Sequence, residues 1–124
     1  MLAWWPLWLA GSALGLALTL WFSLRPGGAM LNVSDKWQHL AGYAVLTLWF
    51  CGLVRREYQW RVLLLCIAYS ALMEVLQGTL TATRQADALD VVANSCGALI
   101  AMALGRFGGD RWAEWLEHLG GRRP

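Results

Sequence analysis

Long apolar blocks constrain this chain more than any other feature of its sequence. Residues 4–24, 61–80 and 91–104 contain almost no lysine or arginine, and residues 37–54 form a fourth block of the same kind. A bilayer core about 30 Å thick needs roughly 20 residues of helix. Lipid offers no partners to unpaired backbone N–H and C=O groups, so helices are the economical way to cross it. The sequence therefore predicts an all-α integral membrane bundle of four transmembrane helices.

The breaks between the blocks predict where the helices begin and end. Pro26 and the glycines after it end the first helix, and Ser34 or Asp35 can cap the second. Beyond the fourth span, Trp112 and Trp115 recur with leucines at helical spacing, which predicts a short amphipathic helix on the membrane surface. We expect one domain over residues 1–124, with helices at about 4–24, 35–54, 60–80 and 87–105 and a surface helix at about 110–119.

The basic residues predict the orientation of the bundle. With four spans, the N-terminus, the loop at 55–61 and the C-terminus share one side. That side carries Arg55, Arg56, Arg61, Arg106, Arg111, Arg122 and Arg123, whereas the other carries Arg25, Lys36 and Arg84. The positive-inside rule then predicts that both termini are cytoplasmic.

Two kinds of site are not favoured by the composition. The net charge of +2 is too small to indicate a nucleic-acid partner, and we expect none. The three cysteines lie in apolar segments, without CxxC or His/Cys spacing. Neither a disulfide framework nor a thiolate metal site is therefore predicted.

Polar side chains form stripes on three of the predicted helices. On helix 2, Asp35, His39 and Tyr43 are four residues apart and share one face. The other stripes are Ser70, Glu74, Gln77 and Thr81 on helix 3, and Asp87, Asp90 and Asn94 on helix 4. At about 1.5 Å per residue, the three stripes reach the same depth near the outer ends of their helices. Because an ionisable side chain in a bilayer is costly unless it is paired or hydrated, the stripes predict a site.

Ten residues are candidates for binding a ligand at this site. They are Asp35, Lys36, His39, Tyr43, Glu74, Gln77, Arg84, Asp87, Asp90 and Asn94. A histidine beside carboxylates and an amide can bind a divalent cation or transfer protons, which makes His39, Glu74 and Asp90 the catalytic candidates. Arg84 with Lys36 can hold a phosphate. No spacing matches HExxH, a P-loop or a Ser/His/Asp order, so no reaction is predicted.

Several of these residues also have a structural interpretation, and His39 with Tyr43 can be an interfacial hydrogen-bonded pair. Asp35 and Asp87 can be N-caps of their helices. Arg84 can pair with Asp87 in the loop. A buried Glu74–Arg84 pair, or an Asp90–His39 pair, can hold the bundle together.

The polar motifs resemble those of a known family. Residues 35–39 read DKWQH, residues 74–77 read EVLQ, and residues 84–97 contain Arg84, Asp87, Asp90, Asn94 and Gly97. This order resembles the VanZ-like family of small bacterial membrane proteins, with the pattern DKxxH, ExxQ and RxxDxxDxxxNxxG, over residues 35 to about 105. The resemblance implies a location in the bacterial plasma membrane. It also implies an association with glycopeptide resistance, particularly to teicoplanin, an antibiotic that carries a lipid chain.

We expect an outward-opening polar pocket that recognises a lipid-linked or phosphate-bearing envelope molecule, with membrane lipids as the other partners. Arg84 would pair with the anionic head group, while the catalytic candidates would bind hydroxyls or a bridging divalent cation. One alternative is a membrane-embedded hydrolase or transferase with His39 or Glu74 as general base. The other is a hydrogen-bonded staple between helices 2, 3 and 4 that has no ligand.

Overall fold

Every regular element in the described part of the chain is helical. The computed structural model describes residues 2–25, 35–109 and 111–121. The main helices are α1 (Trp5–Leu24), α2 (Asp35–Leu53), α3 (Gln59–Leu80), α4 (Ala88–Leu104) and α5 (Trp112–Leu119). A short turn at Arg56–Tyr58 leads into α3, and a wider turn at Gly105–Gly109 follows α4. The all-α prediction is confirmed. The predicted break after Arg25, the Ser34 cap and the first residue of the predicted surface helix, at position 110, lie outside the described residues.

Three helices in the described ranges are long and apolar enough to cross a membrane, not the predicted four. They are Trp5–Leu24, Arg56–Leu80 and Ala88–Gly108. The exception is α2, which has 19 residues but begins with Asp35, Lys36 and other polar side chains. Its length is sufficient, and its polar first turns lower its mean hydropathy. Those same turns contain the first of the predicted polar stripes.

The contact between α2 and α4 is the most extensive helix pair in the described chain. Gly97, Ala98 and Ala101 are buried along it. A Cβ placed on Gly97 would overlap the main chain of Leu40, including its carbonyl oxygen. The small side chains on this face thus allow the two helices to approach closely. The two backbones are close enough here for short polar side chains to meet a few residues away.

Three tryptophans pack together at the end of the bundle opposite the polar stripes. The rings of Trp8 and Trp112 are 5.5 Å apart at 84°, and those of Trp49 and Trp112 are 5.1 Å apart. The Trp112 indole donates to the Leu48 carbonyl at 3.1 Å, and the Trp49 indole donates to the Ser12 hydroxyl at 3.0 Å. The three tryptophans therefore join α1, α2 and α5, and the indole N–H groups of Trp49 and Trp112 are both hydrogen-bonded.

Glu117 fastens the start of α1 to α5. Its carboxylate accepts the backbone N–H groups of Ala3 and Trp4, both at 2.8 Å, and the indole N–H of Trp8 at 2.7 Å. Glu117 is buried because this face of α5 turns towards α1, whereas Trp115 is 61% exposed. Burial raises the pKa of Glu117, but the three hydrogen bonds outweigh it and hold that pKa below its usual value.

We expect Glu117→Gln to lower the thermal unfolding midpoint by about 5 °C at neutral pH, because glutamine has one acceptor oxygen where the carboxylate uses two. The lowered native pKa means that the stabilisation is present above the unfolded pKa, about 4.3, and is lost as pH falls through the native pKa. Unfolding of the detergent-solubilised protein between about pH 7 and pH 3 should therefore show the wild type converging on the variant. Glu114→Gln, on the exposed side of α5, is the control. A pH-independent difference would rule out the charge as its cause.

Candidate functional site

Polar side chains from α2, α3, α4 and the loop at 81–87 meet at one end of the bundle. We call the following set the polar cluster: Asp35, Lys36, His39, Ser70, Glu74, Arg84, Asp87, Asp90 and Asn94. The register of the cluster is fixed where α4 begins. Asp87 has extended backbone angles, and its carboxylate accepts the N–H of Leu89 at 2.8 Å. The interpretation of Asp87 as an N-cap is confirmed, and the cap places Asp90 one turn inside the helix.

Lys36 bridges two carboxylates of the cluster. Its ammonium group forms ion pairs with Asp87 Oδ2 and Asp90 Oδ1. The Asp90 side chain is 5% exposed, whereas that of Asp87 is 44% exposed. The hydrogen bond from Lys36, followed by that from the Leu89 N–H, holds the pKa of Asp87 below its ordinary value. Lys36 thus ties the first turn of α2 to the first turn of α4.

His39 lies between two carboxylates and an amide. Its Nε2 is 3.5 Å from Asp35 Oδ2 and 3.4 Å from Asp90 Oδ2, so the expected Asp90–His39 pair is present. Its Nδ1 is 3.1 Å from Asn94 Oδ1. The amide nitrogen of Asn94 donates to the hydroxyl of Ser70 at 2.7 Å, which makes Oδ1 an acceptor. In this arrangement Nδ1 carries a proton, and Nε2 faces the two carboxylates.

Glu74 and Arg84 do not pair with each other, contrary to one structural expectation. Glu74 is 4% exposed and accepts the backbone N–H of Asp87 at 2.9 Å, so it holds the end of the loop. Arg84 lies 3.5 Å from both carboxylate oxygens of Asp35, not beside Asp87. The guanidinium therefore sits at the side of the cluster nearest to α1.

Gln77 and Tyr43 lie beside the polar cluster, not within it. Gln77 donates to the carbonyl of Ser23 at 2.8 Å and so attaches α3 to the last turn of α1. Tyr43 packs its ring 6.4 Å from that of Tyr69. Its hydroxyl is buried. Both residues line a cavity that begins at the cluster.

The cavity has a volume of about 550 Å³ and lies between α1 and α2. Asp35, His39 and Arg84 line its polar end, whereas Trp49 lines the other end. Asp35 and Trp49 are separated by about 21 Å of helix at 1.5 Å per residue. The walls between them are mostly apolar, with Gly11, Gly15, Leu18 and Phe22 on α1 and Gly42, Val45 and Leu46 on α2.

The sequence analysis missed the part that α1 plays. It treated the first helix as a hydrophobic span and built the pocket from α2, α3 and α4. The available signal was the pair Gly11 and Gly15, which are four residues apart and mark a face where another helix can approach. In the structure both glycines face α2 and line the cavity.

Comparison with known proteins gives one match. A family model described as VanZ/LLP1 matches residues 14–108. The matched range contains half of α1, all of α2, α3 and α4, and every residue of the polar cluster. No curated protein and no solved structure matched the chain.

Proposed function

Because the chain belongs to the VanZ/LLP1 family, we propose that it is a plasma-membrane protein that recognises an amphiphilic molecule of the bacterial cell envelope. The head group of this molecule binds at the polar cluster, and its hydrocarbon chain enters the cavity between α1 and α2. All four long helices cross the membrane, and the polar cluster lies at the extracytoplasmic end. Both termini are cytoplasmic.

The distribution of charges supports this topology. At the end of the bundle that contains the three tryptophans, the described basic residues are Arg55, Arg56, Arg61, Arg106 and Arg111. At the end that contains the polar cluster they are Arg25, Lys36 and Arg84. The positive-inside rule assigns the richer end to the cytoplasm. Although its first turns are polar, α2 presents Trp37, Val45 and Leu48 on exposed positions, as a lipid-facing helix does.

The cavity is the observation that carries the proposed function. A fully polar ligand would leave its long apolar walls without favourable contacts, whereas each buried CH₂ group of a lipid chain contributes about 0.8 kcal/mol. At the polar end, the guanidinium of Arg84 can donate two parallel hydrogen bonds to a phosphate. A polyprenyl phosphate, a phospholipid and a lipid-bearing glycopeptide share this combination of a hydrocarbon chain with a polar, anionic group.

Filling the cavity tests the proposal. A Cβ on Gly42 would meet nothing within 4 Å, and Gly42 lines the cavity, so a leucine there adds bulk to the cavity without a clash at its Cβ. It also favours the helix by up to about 1 kcal/mol. We expect Gly42→Leu to weaken binding of the amphiphile at least about tenfold while the protein remains folded. Native mass spectrometry of the purified protein with polyprenyl phosphate, phosphatidylglycerol, teicoplanin or deacylated teicoplanin measures this binding.

Two further variants sharpen the result. Ala68→Leu places the same side chain at an exposed position of α3 and should bind like the wild type. Arg84→Gln should keep chain-dependent binding but lose preference for phosphate head groups. Equal binding by Gly42→Leu and the wild type would contradict the placement of the chain. If the wild type retained no amphiphile, the polar cluster would be better interpreted as a hydrogen-bonded staple between helices that has no ligand. If a bound amphiphile were converted to a product, the protein would be better interpreted as a hydrolase or transferase.

A further inference from the structure

Asp35, His39 and Asp90 each offer one ligand atom, and these three atoms lie close together around a common point. The three atoms lie within 4.8 Å of one another. The two distances from His39 Nε2 to the carboxylate oxygens are 3.5 and 3.4 Å. Two ligands about 2.1 Å from a tetrahedral zinc ion are themselves about 3.4 Å apart. We propose that these three residues form a binding site for a divalent transition-metal ion, a site that goes beyond lipid recognition and does not depend on it.

Asn94 and Ser70 orient the ring of His39 as in a metal-binding histidine. Histidines that bind metals usually donate their other ring N–H to an oxygen acceptor, which fixes the tautomer and the ring orientation. Asn94 Oδ1 fills this role at 3.1 Å and is itself held by Ser70. Asn94 and Ser70 are both buried, so this support is rigid. With the proton on Nδ1, the lone pair of Nε2 is available to a metal ion that lies beside the two carboxylates.

The polar cluster contains more acidic groups than permanent cations, which favours the binding of a divalent ion. Four carboxylates, those of Asp35, Glu74, Asp87 and Asp90, face the two permanent cations Lys36 and Arg84. The carboxyl groups therefore outnumber the permanent cations by two. Lys36 pairs with Oδ1 of Asp90, whereas Oδ2 of the same carboxylate faces His39. A divalent cation at the common point would offset the remaining charge without displacing the lysine.

The ligand set selects the class of metal. One imidazole with two carboxylates favours Zn²⁺ or a similar transition ion over Mg²⁺ and Ca²⁺, which prefer all-oxygen ligands. Three protein ligands leave at least one open coordination position, as catalytic and substrate-binding zinc sites do. Asp35 and His39 line the cavity, so the open position faces its polar end. An anionic oxygen entering the cavity can reach the ion there.

The test uses the full chain, purified in detergent, stripped with a chelator and titrated with Co²⁺, whose visible absorption reports its ligands. We expect one Co²⁺ per chain, displaced by Zn²⁺ but not by equal concentrations of Mg²⁺ or Ca²⁺. His39→Gln should weaken Co²⁺ binding about 100-fold or more, and Ser70→Ala about tenfold through loss of the support behind Asn94. The other histidine provides the matched control, since it lies at the far end of the bundle: His118→Gln should bind as the wild type does.

Asp35→Asn keeps the test decisive if His39→Gln fails to fold, because Asp35 is half-exposed and its replacement is less disruptive. Absence of Co²⁺ absorption in the folded wild type would overturn the inference. Equal absorption by the wild type, His39→Gln and Asp35→Asn would overturn it as well. Amphiphile binding, measured separately by mass spectrometry, would survive that failure, so the metal site and the proposed function can be rejected independently.

Discussion

Gly97→Ala is expected to force α2 away from α4 and to destabilise the protein by about 3 kcal/mol. The added methyl group would overlap the main chain of Leu40, and a backbone cannot rotate aside as a side chain can. The unfolding midpoint in detergent with increasing SDS content measures the loss. The separation would also pull His39 away from Asp90, so binding of Co²⁺ should weaken together with stability.

The chain contains a matched control for this substitution. Gly15 also lies within a helix and faces α2, but a Cβ there would be 3.7 Å from Leu46, which is an ordinary contact. Gly15→Ala should therefore be neutral or slightly stabilising, because alanine favours the helix. Equal effects of Gly97→Ala and Gly15→Ala would show that the α2–α4 approach is not as tight as the structure has it.

Lys36→Met is expected to cost about 2 to 3 kcal/mol, because it leaves the buried carboxylate of Asp90 without its cation. This loss is at or below the low end of the losses expected when one partner of a fully buried ion pair is removed. It is small because the lysine side chain is 41% exposed, so water can reach part of the space that the substitution opens. Chemical unfolding in mixed detergent measures the loss. The double variant Lys36→Met/Asp90→Asn should recover a large part of it, since the unpaired charge is then gone.

The ion pair between Arg55 and Glu57 serves as the comparison for Lys36. Both of its side chains are mostly exposed, so Arg55→Met should change stability by less than about 0.5 kcal/mol. A double variant no more stable than Lys36→Met would indicate that the lysine stabilises the bundle through its alkyl chain and not through its charge.

The sequence predicted the helices well because each is an apolar block bounded by polar or helix-breaking residues. It also predicted that three polar stripes reach the same depth, and the structure brings most of their residues together. The partners within the cluster could not be predicted, since helical spacing gives the face of a residue but not the neighbour it meets. Glu74 was expected beside Arg84, yet it binds the main chain of Asp87 because the loop folds back over α3.

The burial of Glu117, at the other end of the molecule, likewise could not be predicted from helical spacing. Its position on α5 places it opposite the apolar face, and for an isolated surface helix that means solvent. The wider turn at Gly105–Gly109, together with the insertion of Trp112 beside Trp8 and Trp49, turns this face towards the start of α1. Only contacts between residues more than 100 positions apart determine that a charged side chain becomes buried.

The loose packing of α1 determines how a lipid can reach the cavity. Of its residues only Ser12 is buried, and the end of α1 nearest to α5 is held by Glu117 and the tryptophans. Towards the polar cluster, the backbone of α1 accepts hydrogen bonds from Tyr69 at Leu16 and from Gln77 at Ser23. When these hydrogen bonds break, this half of α1 can move outward with little loss of buried area. In the proposed topology that movement opens the cavity sideways into the outer leaflet, so a lipid would enter by lateral diffusion and never pass through water.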